Sequence, residues 1–122
     1  MTSPVTLYEY AGIVRSVYDG DTLRIDVDLG FGIWRFNESL RLLGINAPEM
    51  RGATLDAGKR SRDALRERVL GRTVTFISVK DEQEKYGRYL AVVYDPDGVC
   101  VNEWLVQQGL AVPYMLSAGR DA

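Results

Sequence analysis

Hydrophobic and polar residues alternate with a period of two over residues 10–28. In the second half of this stretch three apolar residues alternate with three charged ones: Leu23, Ile25 and Val27 with Arg24, Asp26 and Asp28. In the first half the pattern is looser, with Ile13, Arg15 and Val17 on one side and Val14 and Ser16 on the other. An Asp-Gly turn signal separates the halves at Asp19-Gly20-Asp21. The pattern therefore predicts a β-hairpin.

The rest of the chain predicts three more strands and two helices. Two glycines in residues 29–34 predict a chain reversal, and Pro48, Gly71 and Gly109 supply stops. The predicted elements are a third strand at 35–45, a helix at 54–70, a fourth strand at 73–79, a charged loop at 80–88, a fifth strand at 89–94 and a short helix at 101–108. Five strands with a helix between the third and fourth indicate an α+β fold with an OB-like Greek-key β-barrel. We expect one domain over residues 1–122.

Composition narrows the chemistry that such a domain can perform. The chain has no histidine and a single cysteine, Cys100, which excludes a Ser-His-Asp triad, a histidine base, an internal disulfide and a cysteine metal cluster. No apolar run approaches the ~20 residues that span a bilayer, and the first ten residues do not resemble a signal peptide. A net charge of −2 argues mildly against binding nucleic acid by bulk charge. Catalysis, if present, must use carboxylates, arginines, lysines, tyrosines or a hard cation.

Three short segments carry residue types suited to that chemistry. They are Asp19-Gly20-Asp21, then Asn46-Ala47-Pro48-Glu49, then Lys85-Tyr86-Gly87-Arg88. Taken singly, each is better explained as a solvated turn or loop. If the barrel brings them together, their oxygen donors suit Ca²⁺ or Mg²⁺, and a carboxylate such as Glu49 could handle a water molecule. Arg41 and Arg88 could hold phosphate oxygens, so the sequence favours phosphodiester hydrolysis.

Four ordered blocks resemble the staphylococcal (thermo)nuclease family. The blocks are VYDGDTLRI, RLLGINAPE, KYGRYLAVVY and VNEWLVQQGLA, and the similarity covers residues 10–114. The resemblance implies a Ca²⁺-dependent nuclease that cuts DNA and RNA, with single-stranded or frayed regions preferred, and leaves 3′-phosphates. By position it implies Asp21, Asn46 and Ala47 as cation ligands, Arg41, Glu49 and Arg88 as catalytic residues, and Lys85, Tyr86 and Tyr114 as substrate-binding residues.

The chain departs from the family pattern at two places. Asn46 stands where the family usually has a second aspartate ligand, which should weaken cation binding, and Asp19 could compensate from nearby. We expect no counterpart of the family's usual C-terminal helix after residue 114. A catalytically weakened nucleic-acid-binding module therefore remains an alternative, and a protein-interaction domain is a less favoured one.

Several further expectations complete this interpretation. Lys59, Arg60 and Arg62 on the predicted helix either form a solvated face or extend the substrate groove. We expect DNA and RNA as partners, no membrane, and a monomer. One free cysteine fits a cytoplasmic protein and a processed secreted one equally.

Overall fold

The computed structural model describes residues 8–114, without the side chains of residues 80–82. Its strands, in chain order, are β1 (Glu9–Asp19), β2 (Thr22–Asp28), β3 (Trp34–Leu42), β4 (Ile45–Asn46), β5 (Thr73–Gln83), β6 (Tyr89–Tyr94) and β7 (Val112–Pro113). A 3₁₀ turn at Gly52–Thr54 precedes helix α1 (Leu55–Val69), and helix α2 (Val101–Gln107) follows β6. Five strands close a barrel in the order β1-β2-β3-β6-β5, in which β3 and β6 are parallel. This architecture confirms the α+β fold with an OB-like barrel.

The core fills the barrel and the space under both helices. Alternate residues of the strands point inward, which explains why the period-two pattern was informative. Leu23 and Ile25 of β2 are fully buried, and α1 contributes Leu65 and Val69 to the same cluster. The helix ends as predicted, because Gly71 adopts a positive φ of 75° that an L side chain rarely takes.

The predicted inward and outward positions of the first strand are wrong beyond Val14. Val14 and Val17 are both buried, whereas the pattern placed them on opposite faces. Register shifts in the β1–β2 pairing between Val14 and Ser16, and again between Val17 and Asp19, account for the difference. Each bulge adds an unpaired residue and so reverses the alternation beyond it.

Two predicted boundaries also need correction. The third strand breaks after Leu42 and resumes as β4, because Gly44 turns the chain with a φ of 82°. The predicted loop at 80–88 is shorter, because β5 extends to Gln83, which pairs with Tyr89.

The short strands β4 and β7 form a second, two-stranded antiparallel sheet beside the barrel. Asn46 pairs with Val112 there, and the backbone N–H of Tyr114 donates to the carbonyl oxygen of Gly44 at 2.8 Å. The expected absence of a terminal helix concerns residues outside the described range. Neither helix that the structure describes has the length and apolar character needed to cross a membrane.

Candidate active site

The turn between β1 and β2 buries Asp21 against the segment that follows β4. Asp21 is 6% exposed, and its Oδ2 accepts a 2.8 Å hydrogen bond from the backbone N–H of Ala47. Its Oδ1 accepts from the hydroxyl of Thr22 at 3.1 Å, and its carbonyl accepts from the N–H of Leu42 at 2.8 Å. The first two candidate segments are therefore joined through one carboxylate.

Arg41, at the end of β3, connects the Asp21 carboxylate to the backbone of the segment that follows β3. Its Nη1 donates to the carbonyl oxygens of Leu42 and Ile45, both at 2.9 Å, and lies 3.5 Å from Oδ2 of Asp21. Its Nη2 donates to Oδ1 of Asn46 at 3.3 Å. Within the described part of the chain, these bonds use three of the five N–H groups of a guanidinium, which leaves two for a phosphate.

Asp19 and Asp21 form a pair of neighbouring carboxylates. The backbone N–H of Asp21 donates to Oδ1 of Asp19 at 3.1 Å. Burial, a hydrogen bond with the Asp21 side chain and the negative charge of Asp21 together raise the pKa of Asp19 to about 6. Two close carboxylates are an environment that a bound cation would stabilise.

Arg88 is held by Glu84 across the loop between β5 and β6. Its Nε and Nη2 donate to the two oxygens of the Glu84 carboxylate, at 3.2 and 2.9 Å. The same carboxylate accepts from the backbone N–H groups of Tyr86 and Arg88, at 2.8 and 3.0 Å. The hydrogen bond to Glu84, together with the charges of Glu84, Asp21 and Asp19, raises the pKa of Arg88 above its ordinary value, against the opposing effect of burial.

An open cleft of about 840 Å³ lies beside this region, and the buried side chains of Asp21 and Arg41 are not among its lining residues. Asp19 and Arg88 line it together with Tyr86 from the β5–β6 loop. Other lining residues come from the outer face of the barrel and from α1, namely Ser16, Arg24, Asn37, Ser39, Arg62 and Arg66. Of the basic cluster on the helix, Arg62 lines the cleft, whereas Lys59 and Arg60 are exposed outside its lining. The cleft thus combines the carboxylates of Asp19 and Glu38 with several guanidinium groups and an exposed tyrosine.

Glu49, Lys85 and Tyr114 lie at the edges of this arrangement. The Glu49 side chain is 71% exposed and its Oε1 accepts from Nε of Arg51 at 3.1 Å. Glu49 lines a separate depression of about 280 Å³ with Asn46 and Ala47, while its neighbour Met50 lines the main cleft. Nζ of Lys85 lies 5.2 Å from the centre of the Tyr86 ring, and Tyr114 is 47% exposed next to β7.

Small residues allow the helix to hold both candidate turns. A Cβ on Gly20 would lie 1.9 Å from Oγ of Ser61, and a Cβ on Gly58 would lie 2.7 Å from the carbonyl oxygen of Glu49. The backbone of each turn therefore lies directly on α1. This close approach requires a hydrogen atom in place of a side chain at Gly20 and Gly58.

The oxygen donors at the site fit a hard cation. Asp21, Asn46 and the backbone of Ala47 offer carboxylate, amide and carbonyl oxygens, which Ca²⁺ and Mg²⁺ prefer. Among the described residues no three His, Cys, Asp or Glu side chains cluster as a metal site. The oxygen donors therefore suit a hard cation, but few of them carry a negative charge.

Sequence reasoning did not find Glu84 or Arg24. The sequence does contain a signal for the pairing of Glu84 with Arg88, because an acidic residue stands four positions before a basic one. That spacing indicates an ion pair on a helix, however, and these residues lie in a loop. Arg24 alternates with the buried residues of β2, which places it on the outer face of the barrel. The neighbouring residues in the sequence do not indicate that this face lines the cleft.

Comparison with known proteins adds three similarities. A family model described as staphylococcal nuclease homologue matches residues 39–121. Proteins of Escherichia coli O157:H7 and Escherichia coli, both named uncharacterized endonuclease, are 36% identical over 111 residues, which is 91% of this chain and 65% of theirs. A succinoglycan biosynthesis protein of Rhizobium meliloti is 32% identical over 104 residues, 80% of this chain and 49% of the relative. The chain thus spans less than two thirds of the length of each of these relatives.

Proposed function

Because the chain belongs to the staphylococcal nuclease homologue family, we propose that it is a nuclease that hydrolyses phosphodiester bonds of DNA and RNA. The observation that carries this proposal is that Asp19 and Arg88 line the same cleft, beside the buried contact of Arg41 with Asp21. The names of the Escherichia coli relatives support the same activity. The products, by the resemblance, carry 3′-phosphates.

Arg88 and Arg41 hold the scissile phosphate in this proposal. A guanidinium presents planar N–H pairs that match phosphate oxygens and stabilise the negative charge that grows on them during attack. Arg88 lines the cleft and remains partly exposed, whereas Arg41 approaches from the buried side with the N–H groups that its carbonyl partners do not use. The two arginines therefore reach the phosphate from different directions.

Glu49 takes the proton from the attacking water. Its present partner, Arg51, is 84% exposed in its side chain, and such surface pairs contribute only about 0–1 kcal/mol. Turning the carboxylate away from Arg51 towards the cleft is therefore inexpensive. The contact of Gly58 with the Glu49 backbone keeps the base of this side chain fixed while it turns.

Asp21, Asn46 and the carbonyl of Ala47 would hold the Ca²⁺ ion. When bound, the ion supplies positive charge that polarises the phosphate. Asp21 is already aligned by the N–H of Ala47 and the hydroxyl of Thr22. Since Asn46 is neutral, we expect weaker binding than at a site with an aspartate there.

Tyr86, Lys85 and Tyr114 would contact the nucleotides next to the scissile bond. Tyr86 is 69% exposed at the cleft and has Arg88 5.3 Å from its ring centre, so a base can stack on it. Stacking needs an unpaired base, which supports a preference for single-stranded or frayed substrate.

The test is hydrolysis of denatured DNA with millimolar Ca²⁺ and with excess chelator. Cleavage that requires Ca²⁺ would support both the activity and the cation. Absence of cleavage even at high Ca²⁺ would contradict the proposal, and cleavage that the chelator leaves unchanged would contradict the cation assignment.

A nucleic-acid-binding module without catalysis is the second candidate. It is favoured by the small number of charged ligands, since Asn46 is neutral and its Oδ1 already accepts a hydrogen bond from Arg41. Binding without cleavage, with an affinity that falls as salt rises, would identify it. Gain of cleavage in Asn46→Asp would then locate the defect at that residue.

A further inference from the structure

Two aromatic side chains lie exposed and parallel on β3, away from the candidate catalytic residues. Trp34 and Phe36 are 37% and 69% exposed. Their ring centres are 6.5 Å apart and their planes differ by 9°. Large apolar side chains that lie together on a surface mark an interaction site more often than single exposed ones do.

Strand register places this pair on the outer face that forms the floor of the cleft. Ser39 pairs with Arg24, and both line the cleft. Trp34 pairs with Asp28, which shares the face of Arg24 because it lies an even number of residues away on β2. Phe36 is on that face too, since its ring is stacked with Trp34. A register shift of the β2–β3 pairing lies between Ser39 and Phe36, and the extra residue in β3 brings these two positions, three residues apart, to the same face. The pair therefore continues the cleft floor.

One guanidinium, that of Arg24, lies between the cleft and the aromatic pair and can meet a phosphate group. Arg24 donates to the carbonyl oxygen of Asn37 at 3.0 Å, a contact that leaves its positive charge uncompensated. Two carboxylates of β2 share this face: Asp26 is neutralised by its ion pair with Arg15, and Asp28, which pairs with Trp34, accepts a hydrogen bond from the backbone N–H of Gly30 at 2.9 Å. A phosphate backbone that leaves the cleft therefore passes over Arg24 before it reaches the rings.

We propose that Trp34 and Phe36 form a stacking platform for the bases of a single strand that extends from the cleft along β3. The inference rests on the proposed nuclease function and deepens it, because it assigns a substrate long enough to reach beyond the scissile phosphate. Successive aromatic rings bind unpaired bases without sequence preference. The outer face of strands 2 and 3 is also where OB-type barrels bind oligonucleotides. Loss of one stacked base weakens binding by about 5-fold to about 150-fold.

The test measures binding of fluorescein-labelled dT12 and dT2 to the wild type, with chelator present so that no cleavage occurs. Phe36→Ala should weaken dT12 binding by at least about fivefold and leave dT2 binding unchanged. Phe31→Ala is the matched control, because Phe31 is fully exposed at the tip of the same hairpin and should bind both oligonucleotides like the wild type. Tryptophan fluorescence should fall on adding dT12, and Trp34→Phe should remove that change.

Unchanged dT12 affinity in Phe36→Ala would overturn the platform, and so would failure of the wild type to bind dT12 at low salt. Equal losses for dT12 and dT2 would indicate damage to the cleft instead. Concentration-dependent dimerisation that Phe31→Ala and Phe36→Ala both abolish would assign the surface to a second copy of the chain. A wild type that binds dT12 through Phe36 but never cleaves with Ca²⁺ would refute the nuclease and keep the platform.

Discussion

Glu49 is the residue whose contacts in the structure differ most from its proposed role, because it is paired with Arg51 on the surface. We expect Glu49→Gln to lower turnover by about 10²-fold to about 10⁴-fold, the usual loss when a general base is removed. Arg51→Ala should change turnover little, since an exposed ion pair contributes about 0–1 kcal/mol. Initial rates on denatured DNA, with circular dichroism to verify folding, check both variants. A large loss in Arg51→Ala would mean that this pair positions the carboxylate.

Substitutions of Glu84 can distinguish the effect of its charge from the effect of its hydrogen bonds on the shape of the β5–β6 loop. Burial alone would raise the pKa of Glu84, but its hydrogen bonds with Arg88 and the charge of Arg88 lower it overall. Glu84→Gln keeps an oxygen for the N–H groups of Tyr86 and Arg88, whereas Glu84→Ala removes it. We expect turnover to fall at least about tenfold more in the alanine variant, about the effect of one lost orienting hydrogen bond of ~1.5 kcal/mol. Equal turnover in the two variants would show that Glu84 acts through charge alone.

Asp19 gives a pH dependence whose sign follows from its raised pKa of about 6. A carboxyl group with a raised pKa binds its proton more tightly in the folded protein, so its stabilising effect is complete below the ordinary value of 3.8 and is lost as pH rises through about 6. In chelator, Asp19→Asn should therefore melt at a higher temperature than the wild type at pH 7.5, and the difference should shrink towards pH 4. Calorimetry at pH 4, 6 and 7.5 measures it. A difference that does not vary with pH would refute the shift.

At the scale of elements, the packing of α1 on the candidate turns opposes helix propensity. Alanine in place of a helical glycine usually stabilises by about 1 kcal/mol. A Cβ on Gly58, however, would lie 2.7 Å from the carbonyl oxygen of Glu49, and such overpacking costs about 1–3 kcal/mol. We expect Gly58→Ala to lower both the urea midpoint and the turnover. A higher midpoint would show that the loop bearing Glu49 moves away freely.

An element can be predicted from the sequence when residues close to it in the chain determine its structure. The period-two pattern of β2 and the glycine stop at Gly71 depend on neighbouring residues only, and both were correct. The bulges of β1 depend on how that strand fits two partners, β2 and β5, so no local pattern indicates them. At the candidate site, the short motifs predict roles for Asp21 and Arg88, but the contact of Asp21 with Ala47 joins residues 26 positions apart. Only closure of the barrel creates it.

At the scale of the whole molecule, the proposed ligands connect elements that are distant in the chain. Asp21 lies in the β1–β2 turn, and Asn46 lies in β4, which pairs with β7 near the end of the described range. A ligand that binds only the folded state stabilises it by mass action, by ~2.7 kcal/mol at a hundred times its dissociation constant. Bound Ca²⁺ should therefore raise the melting temperature of the entire domain.

Asn46→Asp tests this coupling. Asn46 is exposed and accepts one hydrogen bond from Arg41, so a carboxylate of similar size keeps that contact while adding a charged ligand. At equal Ca²⁺ we expect the melting temperature to rise more in Asn46→Asp than in the wild type, and not at all in Asp21→Asn. Thermal unfolding with Ca²⁺, Mg²⁺ and chelator measures the three proteins. The same increase in all three would place the cation elsewhere, whereas an increase restricted to Asn46→Asp would show that the native amide limits occupancy and hence turnover.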